Sequence, residues 1–309
     1  MTSTLCLDPP SSSCIVHLND GSKKLCTLEL KEYRPSIFAI LRERAGFTEA
    51  DYLQSLSYEN LNTISADSKS GQNFWVSSNG RVVLKTIKGY EARNMLQILD
   101  SYALHAMTGR SAIAAVLGLY RIKMDSGKRV YFLACANIYP IEGVTQKFDL
   151  KGSLVGRKAS RVSTVAKDLD LLESGGMLDF GSSRQLVLHT LRRDTEFLKR
   201  HMLMDYSLLV AVQRVSNSAE DIGSGSDDAG QKRVGASFSG YGDAGCLRIP
   251  GGQEGCVFHL GIIDILQRYT FRKFCETEVK GFYQKSEISC VDPGLYAKRF
   301  IEFISNFSL

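Results

Sequence analysis

Residues 202–212 read MLMDYSLLVAV, so one carboxylate, Asp205, sits in a run that is otherwise almost wholly apolar. A second such run, VFHLGIIDILQRY at 257–269, carries Asp264. An unpaired charge in a core costs several kcal/mol or shifts its pKa until it is neutral. Each acid must therefore be paired, bind a metal, or lie at the end of its element facing a cleft, and the partner has to come from elsewhere in the chain.

The chain has 309 residues, 44% of them hydrophobic, enough for one large core or two modest ones. No stretch approaches the ~20 apolar residues of a membrane span, and the opening MTSTLCLDPPSSSC lacks the pattern of a signal peptide, so a cytosolic protein is expected. The eight cysteines include no CxxC pair and no histidine at zinc-ligand spacing, and read as reduced thiols. A formal charge of +5 suits phosphate ligands or an anionic membrane surface. Its distribution says more: five basic residues (Lys147, Lys151, Arg157, Lys158, Arg161) and one acid, Asp149, fall between 147 and 161.

Residues 1–20 are polar and Ser/Pro-punctuated and read as a flexible segment. In YRPSIFAILRERAGF, Pro35 suits a first helical turn, Phe38, Leu41 and Ala45 recur at helical spacing, and Gly46 can end the helix. From Ser68 to Ile87 two strands flank Asn79-Gly80, a strong hairpin signal. Helical spacing returns through Ala92, Met95, Leu99 and Tyr102, and strands follow at 116–123 and 129–138. LVLHTLRRDTEFLKRHM puts Leu188, Leu191, Thr195, Leu198 and Met202 on one helical face, leading into the run that holds Asp205. Residues 216–256 are Gly/Ser/Asp-rich and read as a disordered insertion, and the chain closes with a helix carrying Tyr296, Phe300, Phe303 and Phe307.

VVLK, ending at Lys85, is a strand-borne lysine beneath a Gly/Ser-containing hairpin, the arrangement that ATP phosphotransferases use to hold phosphates. Asp205 stands at the start of one apolar strand and Asp264 at the end of the next. Phosphoryl transfer needs little more than a lysine on the phosphates, an acid to orient the attacking hydroxyl and an acid to hold magnesium. Each residue alone has a blander reading, as a surface lysine, a cap or an ion-pair acid. The chain has no HRD motif, which argues against a conventional protein kinase.

SKSGQNFW (68–75), VVLKTI (82–87), FDLKGSLVGRKAS (148–160), KDLD (167–170), RRDTEFLKRHMLMDYSLLV (192–210), GIIDILQRY (261–269) and DPGLYAKRFIEFI (292–304) together resemble the catalytic domain of the phosphatidylinositol phosphate kinases, in family order. The resemblance implies an α+β, two-lobed lipid-kinase fold, distantly similar to protein kinases, with antiparallel sheets and packed helices. It implies a catalytic domain over 21–309, the N-lobe at about 21–140 and the C-lobe at about 141–309. ATP and magnesium are the implied cofactors. Lys85 becomes the ATP-phosphate lysine, Asp205 the acid near the attacking hydroxyl and Asp264 the magnesium ligand, with Ser70 and Gly71 as nucleotide contacts. Lys151 and Arg157 become candidate contacts to the phosphates of ATP or the lipid headgroup, and Lys151 also a candidate catalytic residue. Arg272, Lys273, Glu276 and Lys280 fall in the segment that acts in this family as an activation loop touching the bilayer.

The implied partner is a phosphoinositide at the cytosolic face of a membrane, with the plasma membrane expected, bound peripherally through a basic face and without nucleic acid. Some relatives form homodimers, so a homodimer is among the expected assemblies. On subtype the sequence is mixed. EFLKRHMLMDYSLLV and the YAKRFIEFISNF ending resemble the 5-phosphate 4-kinases, whereas KDLD and Glu276 in RKFCETEVK resemble the 4-phosphate 5-kinases. Phosphorylation of the 4-phosphate lipid at its 5-hydroxyl is the leading expectation. A 5-phosphate 4-kinase, a membrane scaffold without turnover, and a soluble inositol-phosphate kinase are the alternatives.

Overall fold

Arg34, with φ 47°, turns the chain into Pro35, whose fixed φ opens α1 (Pro35–Arg44); the helix buries Phe38 and Leu41 and ends before Gly46. Thr48 caps α2 (Glu49–Ser55) by accepting from the Asp51 N–H at 3.1 Å. These local signals fix the helix ends in a computed structural model that describes residues 11–19, 25–64, 72–140, 142–161, 163–215, 245–269 and 292–309.

The first sheet runs through β1 (Ser11–Asn19), β2 (Leu25–Tyr33), β3 (Leu61–Ile64), β4 (Phe74–Ser77), β5 (Val82–Ile87), β6 (Val116–Met124) and β7 (Arg129–Ala136). Its order is β1-β2-β6-β7-β5-β4-β3, with every pairing antiparallel. Between β4 and β5 the Asn79 side chain accepts from Ser77 Oγ at 2.6 Å and from the Arg81 N–H at 3.1 Å, and Gly80 takes φ 65°, which only a residue without Cβ adopts freely. Directly after β5, the Glu91 carboxylate accepts from the Lys88 N–H at 2.7 Å and starts α3 (Gly89–Met107). That helix buries Ala92, Met95, Ile98, Leu99 and Tyr102 against the sheet.

The second sheet contains β8 (Val144–Leu150), β9 (Ala166–Lys167), β10 (Ser207–Arg214), β11 (Leu247–Pro250) and β12 (Cys256–Ile263), ordered β11-β12-β10-β8-β9. Only β8–β9 is parallel. Three helices flank it: α4 (Asp168–Glu173), α5 (Arg184–Arg200) and α6 (Pro293–Asn306). The last starts on Asp292, which accepts from the Gly294 and Leu295 N–H groups, and places Tyr296 and Phe300 in T-shaped contact with Tyr206. The sheets meet where Ala112–Ala114 lie along β12, with the Ile262 N–H donating to Ala112 O at 2.6 Å and the Ala114 N–H to Ile262 O at 2.9 Å. A single core joins Met95 and Leu133 of the first part to Leu208, Ile262 and Phe300 of the second.

The α+β class and antiparallel sheets agree with the sequence reading; three details do not. Residues 11–19, expected to be flexible, form β1 in a nine-residue register with β2, because the pairing comes from a neighbouring strand that local composition does not reveal. Residues 245–256, expected in the disordered insertion, include β11 on the edge of the second sheet, while 216–244 lie outside the described residues. Met202, expected on the buried face of α5, lies beyond the helix end with φ 57° and is exposed.

Candidate active site

β5 carries Lys85 between its ladder partners Phe74 and Leu133, and its side chain is only 12% exposed. The ammonium leaves this buried position toward the other sheet, where Nζ donates to Asp264 Oδ1 at 2.5 Å. Asp264 follows the last residue of β12 with φ 60°, a left-handed turn that aspartate tolerates better than most residues. Burial works to raise the Asp264 carboxyl, but Lys85 beside it, with Lys151 adding, holds it below the usual carboxylate range. Burial likewise opposes the Lys85 charge, and Asp264, Cys135 and Glu91 outweigh it, so the lysine is more basic than a free one. Both groups are held ionised.

The pair lines a cleft of about 570 Å³ whose walls also include Val83, Ile138, Leu209, Ile263 and Glu91. That volume and apolar lining fit a small organic ligand with a charged end.

Beside it lies a second ion pair. Asp205 precedes β10 with φ 64°, so the opening run does not bury its acid in the core: the backbone turns there. Lys151, just past β8, reaches across with Nζ donating to Asp205 Oδ1 at 2.7 Å and to Asp205 O at 2.8 Å. Asp205 is 38% exposed, enough to meet a ligand. Four groups thus alternate in sign, Lys85 from within β5 and Asp264, Lys151 and Asp205 from strand ends of the second sheet.

The remaining sequence candidates divide. Arg157, expected on a phosphate, is buried, its Nε donating to Asp168 Oδ2 at 2.8 Å and its Nη2 bonding Asp149, and these bonds tie it into the loop. The rest of the basic run disperses as well: Lys158 pairs with Glu173 on the surface, and Lys147 stands over the Tyr139 ring. Ser70, Gly71, Arg272, Lys273, Glu276 and Lys280 lie outside the described residues.

Three residues at the site escaped the sequence reading. Glu91 lines the cleft, Tyr90 lies close enough to Glu91 and Asp205 for both to add to burial in raising its hydroxyl pKa, and Asp168 anchors the Lys151 loop. The first two signals were present as helix-start residues directly after the lysine strand. Asp168 stood in KDLD without a visible partner.

The donor set fits magnesium and a nucleotide. Magnesium takes one or two carboxylates and completes its shell with phosphate and water oxygens, so Asp264 suffices. Among the described residues no group of three or more His, Cys, Asp or Glu could form a closed metal cage.

A family model described as Phosphatidylinositol-4-phosphate 5-Kinase matches residues 55–240 and 240–307. A probable phosphatidylinositol phosphate kinase of Dictyostelium discoideum is 30% identical over 90% of this chain and 47% of its own length. A phosphatidylinositol 4-phosphate 5-kinase of Plasmodium falciparum is 30% identical over 89% of this chain and 18% of its own. A phosphatidylinositol 5-phosphate 4-kinase type-2 alpha of Gallus gallus is 29% identical over 94% and 81%. The chain thus spans less than half the length of the first two of these relatives.

Proposed function

The chain belongs to the phosphatidylinositol phosphate kinase family, and from that premise we propose that it transfers the γ-phosphate of ATP to a phosphatidylinositol monophosphate, the 4-phosphate lipid at its 5-hydroxyl. The observation that carries the reading is the alternating quartet Lys85, Asp264, Lys151 and Asp205, whose first pair lines a nucleotide-sized cleft.

Asp264 would hold the magnesium ion, which supplies charge neutralisation at the phosphates when bound. Lys85 holds the nucleotide phosphates from the opposite sheet. Asp205 accepts the hydrogen bond of the attacking hydroxyl, and Lys151, bonded to its carboxylate and its carbonyl, holds it in place. The hydroxyl oxygen then forms a bond to the γ-phosphorus as the bond to the β–γ bridging oxygen breaks. The electron pair leaves with ADP, and the hydroxyl proton passes to Asp205. Most of the catalysis on this reading is positioning and electrostatics, as phosphoryl transfer requires.

The 4-phosphate preference rests on KDLD and Glu276, which resemble the 4-phosphate 5-kinases. The match to the chicken protein over 81% of its length favours a second reading, a 5-phosphate 4-kinase. No described helix is long and apolar enough to cross a membrane. On this reading access to the lipid is peripheral, through basic residues on an anionic cytosolic surface, where each adds about 1 kcal/mol.

The test is radiolabelled ATP with each of the three monophosphorylated lipids in vesicles, resolving the bisphosphate isomers. The expected result is fastest transfer to the 4-phosphate lipid, giving the 4,5-bisphosphate. Fastest transfer to the 5-phosphate lipid selects the second reading, and transfer to soluble headgroups alone overturns both.

A further inference from the structure

One carboxylate outside the quartet is completely buried and yet bonded to it. Asp168, the first residue of α4, has no exposed surface. Its Oδ1 accepts from two successive backbone N–H groups, Lys151 at 2.9 Å and Gly152 at 2.7 Å, and its Oδ2 accepts from Arg157 Nε at 2.8 Å. Arg157 also bonds Asp149, one residue before the end of β8, and its carbonyl accepts from the Leu169 N–H at 3.0 Å. The loop from Lys151 to Arg157 is thereby closed on itself at both ends by a single side chain.

That closure bears on chemistry because of what stands at its start. Lys151 leaves β8 where the sheet ladder stops, so strand pairing no longer fixes its direction. The backbone bonds to Asp168 fix it instead, and the side chain then reaches Asp205. On the far side Gly152, at φ +67°, lies so close to α6 that an added Cβ would stand 2.9 Å from Phe300 Cα. The start of the loop is thus held between Asp168 of α4 and the α6 backbone.

We infer that Asp168 is a positioning residue for phosphoryl transfer: it orients the Lys151 main chain so that the ammonium stays on Asp205. The inference rests on the kinase reading for its catalytic consequence and not for its geometry. A purely structural Asp168, serving only to neutralise buried Arg157, would give a different pattern on substitution.

The experiment combines rates with chemical labelling on the full chain. Asp168→Ala is expected to lower kcat for lipid phosphorylation by about 10²-fold, the scale of an ångström's misplacement, with the equilibrium affinity for Mg-ATP little changed. In a Lys151→Met background the same substitution is expected to cost almost nothing further, because the group it positions is gone. Asp168→Asn keeps a carbonyl oxygen for the two N–H groups and is expected to restore most of the rate, which it would not if neutralising Arg157 were the whole role. Acylation of lysines, read peptide by peptide by mass spectrometry, is expected to rise at Lys151 and not at Lys85 in Asp168→Ala. Should the alanine variant not fold, Asp168→Glu, which keeps the charge and displaces it by a methylene, replaces it with the same expectations. Additive losses with Lys151→Met, or unchanged labelling of Lys151, overturn the inference. If the parent phosphorylates no lipid, the kinase reading fails while the labelling still decides the role of Asp168.

Discussion

A left-handed backbone costs an L-residue about 1–2 kcal/mol, least for aspartate and asparagine, whose short side chains bond locally. Asp205 and Asp264 both take it, at φ 64° and 60°, each where the chain enters or leaves a strand of the second sheet. Asp205→Asn is therefore expected to retain the parent's stability within a fraction of a kcal/mol, whereas Asp205→Val, β-branched at a positive φ, loses more than about 1 kcal/mol. Urea denaturation of both variants measures this, and equal stabilities would contradict it. The two acids were legible in the sequence because charge inside an apolar run demands an explanation. Lys85 was legible for the same reason, as a cation ending VVLK. Asp168 was not, since two of its partners are amide N–H groups that every sequence contains, and they and Arg157 are brought to it only by the close of the loop. Arg157 was misread because a basic run shows its charge and hides the buried acids that neutralise it.

Elements whose ends are set by nearby residues emerged cleanly. Pro35 and Gly46 bound α1, Asn79-Gly80 make the β4–β5 turn, and Asp292-Pro293 open α6. Strands β1 and β11 did not emerge, since each owes its hydrogen bonds to a neighbour and is flanked by Ser- or Gly-rich sequence that reads as coil. The central pair β10–β12 carries a pH dependence of its own. His259, opposite Ala211, is buried and bonded to Gln213 at 2.8 Å, and burial, with Arg248 adding, lowers its pKa to about 4. Unfolded, the same imidazole titrates near 6.5, so between these values the unfolded chain binds the extra proton. Stability is thus intact above about pH 6.5 and falls as pH drops toward 4, by at most ~1.4 kcal/mol per pH unit from this residue. His259→Gln is expected to flatten that slope in denaturant titrations at stepped pH, and parallel slopes would contradict it.

At the scale of the whole molecule, the site exists only because the two sheets meet. Lys85 comes from the first, while Asp264, Lys151 and Asp205 come from strand ends of the second. The segment after Asp264 is tied back to α3, with Asn94 Nδ2 donating to Leu266 O at 2.9 Å, Tyr90 to Gln267 Oε1 at 3.1 Å and Arg268 to Gln97 Oε1 at 2.5 Å. The same helix begins directly after the lysine strand, so the two halves of the quartet are held by one element. None of these cross-contacts has a local sequence signature; the motifs announced the parts and not how they are joined. The most direct measurement of the central claim is γ-phosphate transfer to phosphoinositide vesicles by the parent, Asp205→Asn and Asp264→Asn, alongside equilibrium binding of ATP with and without magnesium. Both variants are expected to lose about 10²-fold or more in turnover. Asp205→Asn is expected to bind Mg-ATP as the parent does, and Asp264→Asn to lose the strengthening that magnesium gives. Near-parental turnover in either variant would contradict the account.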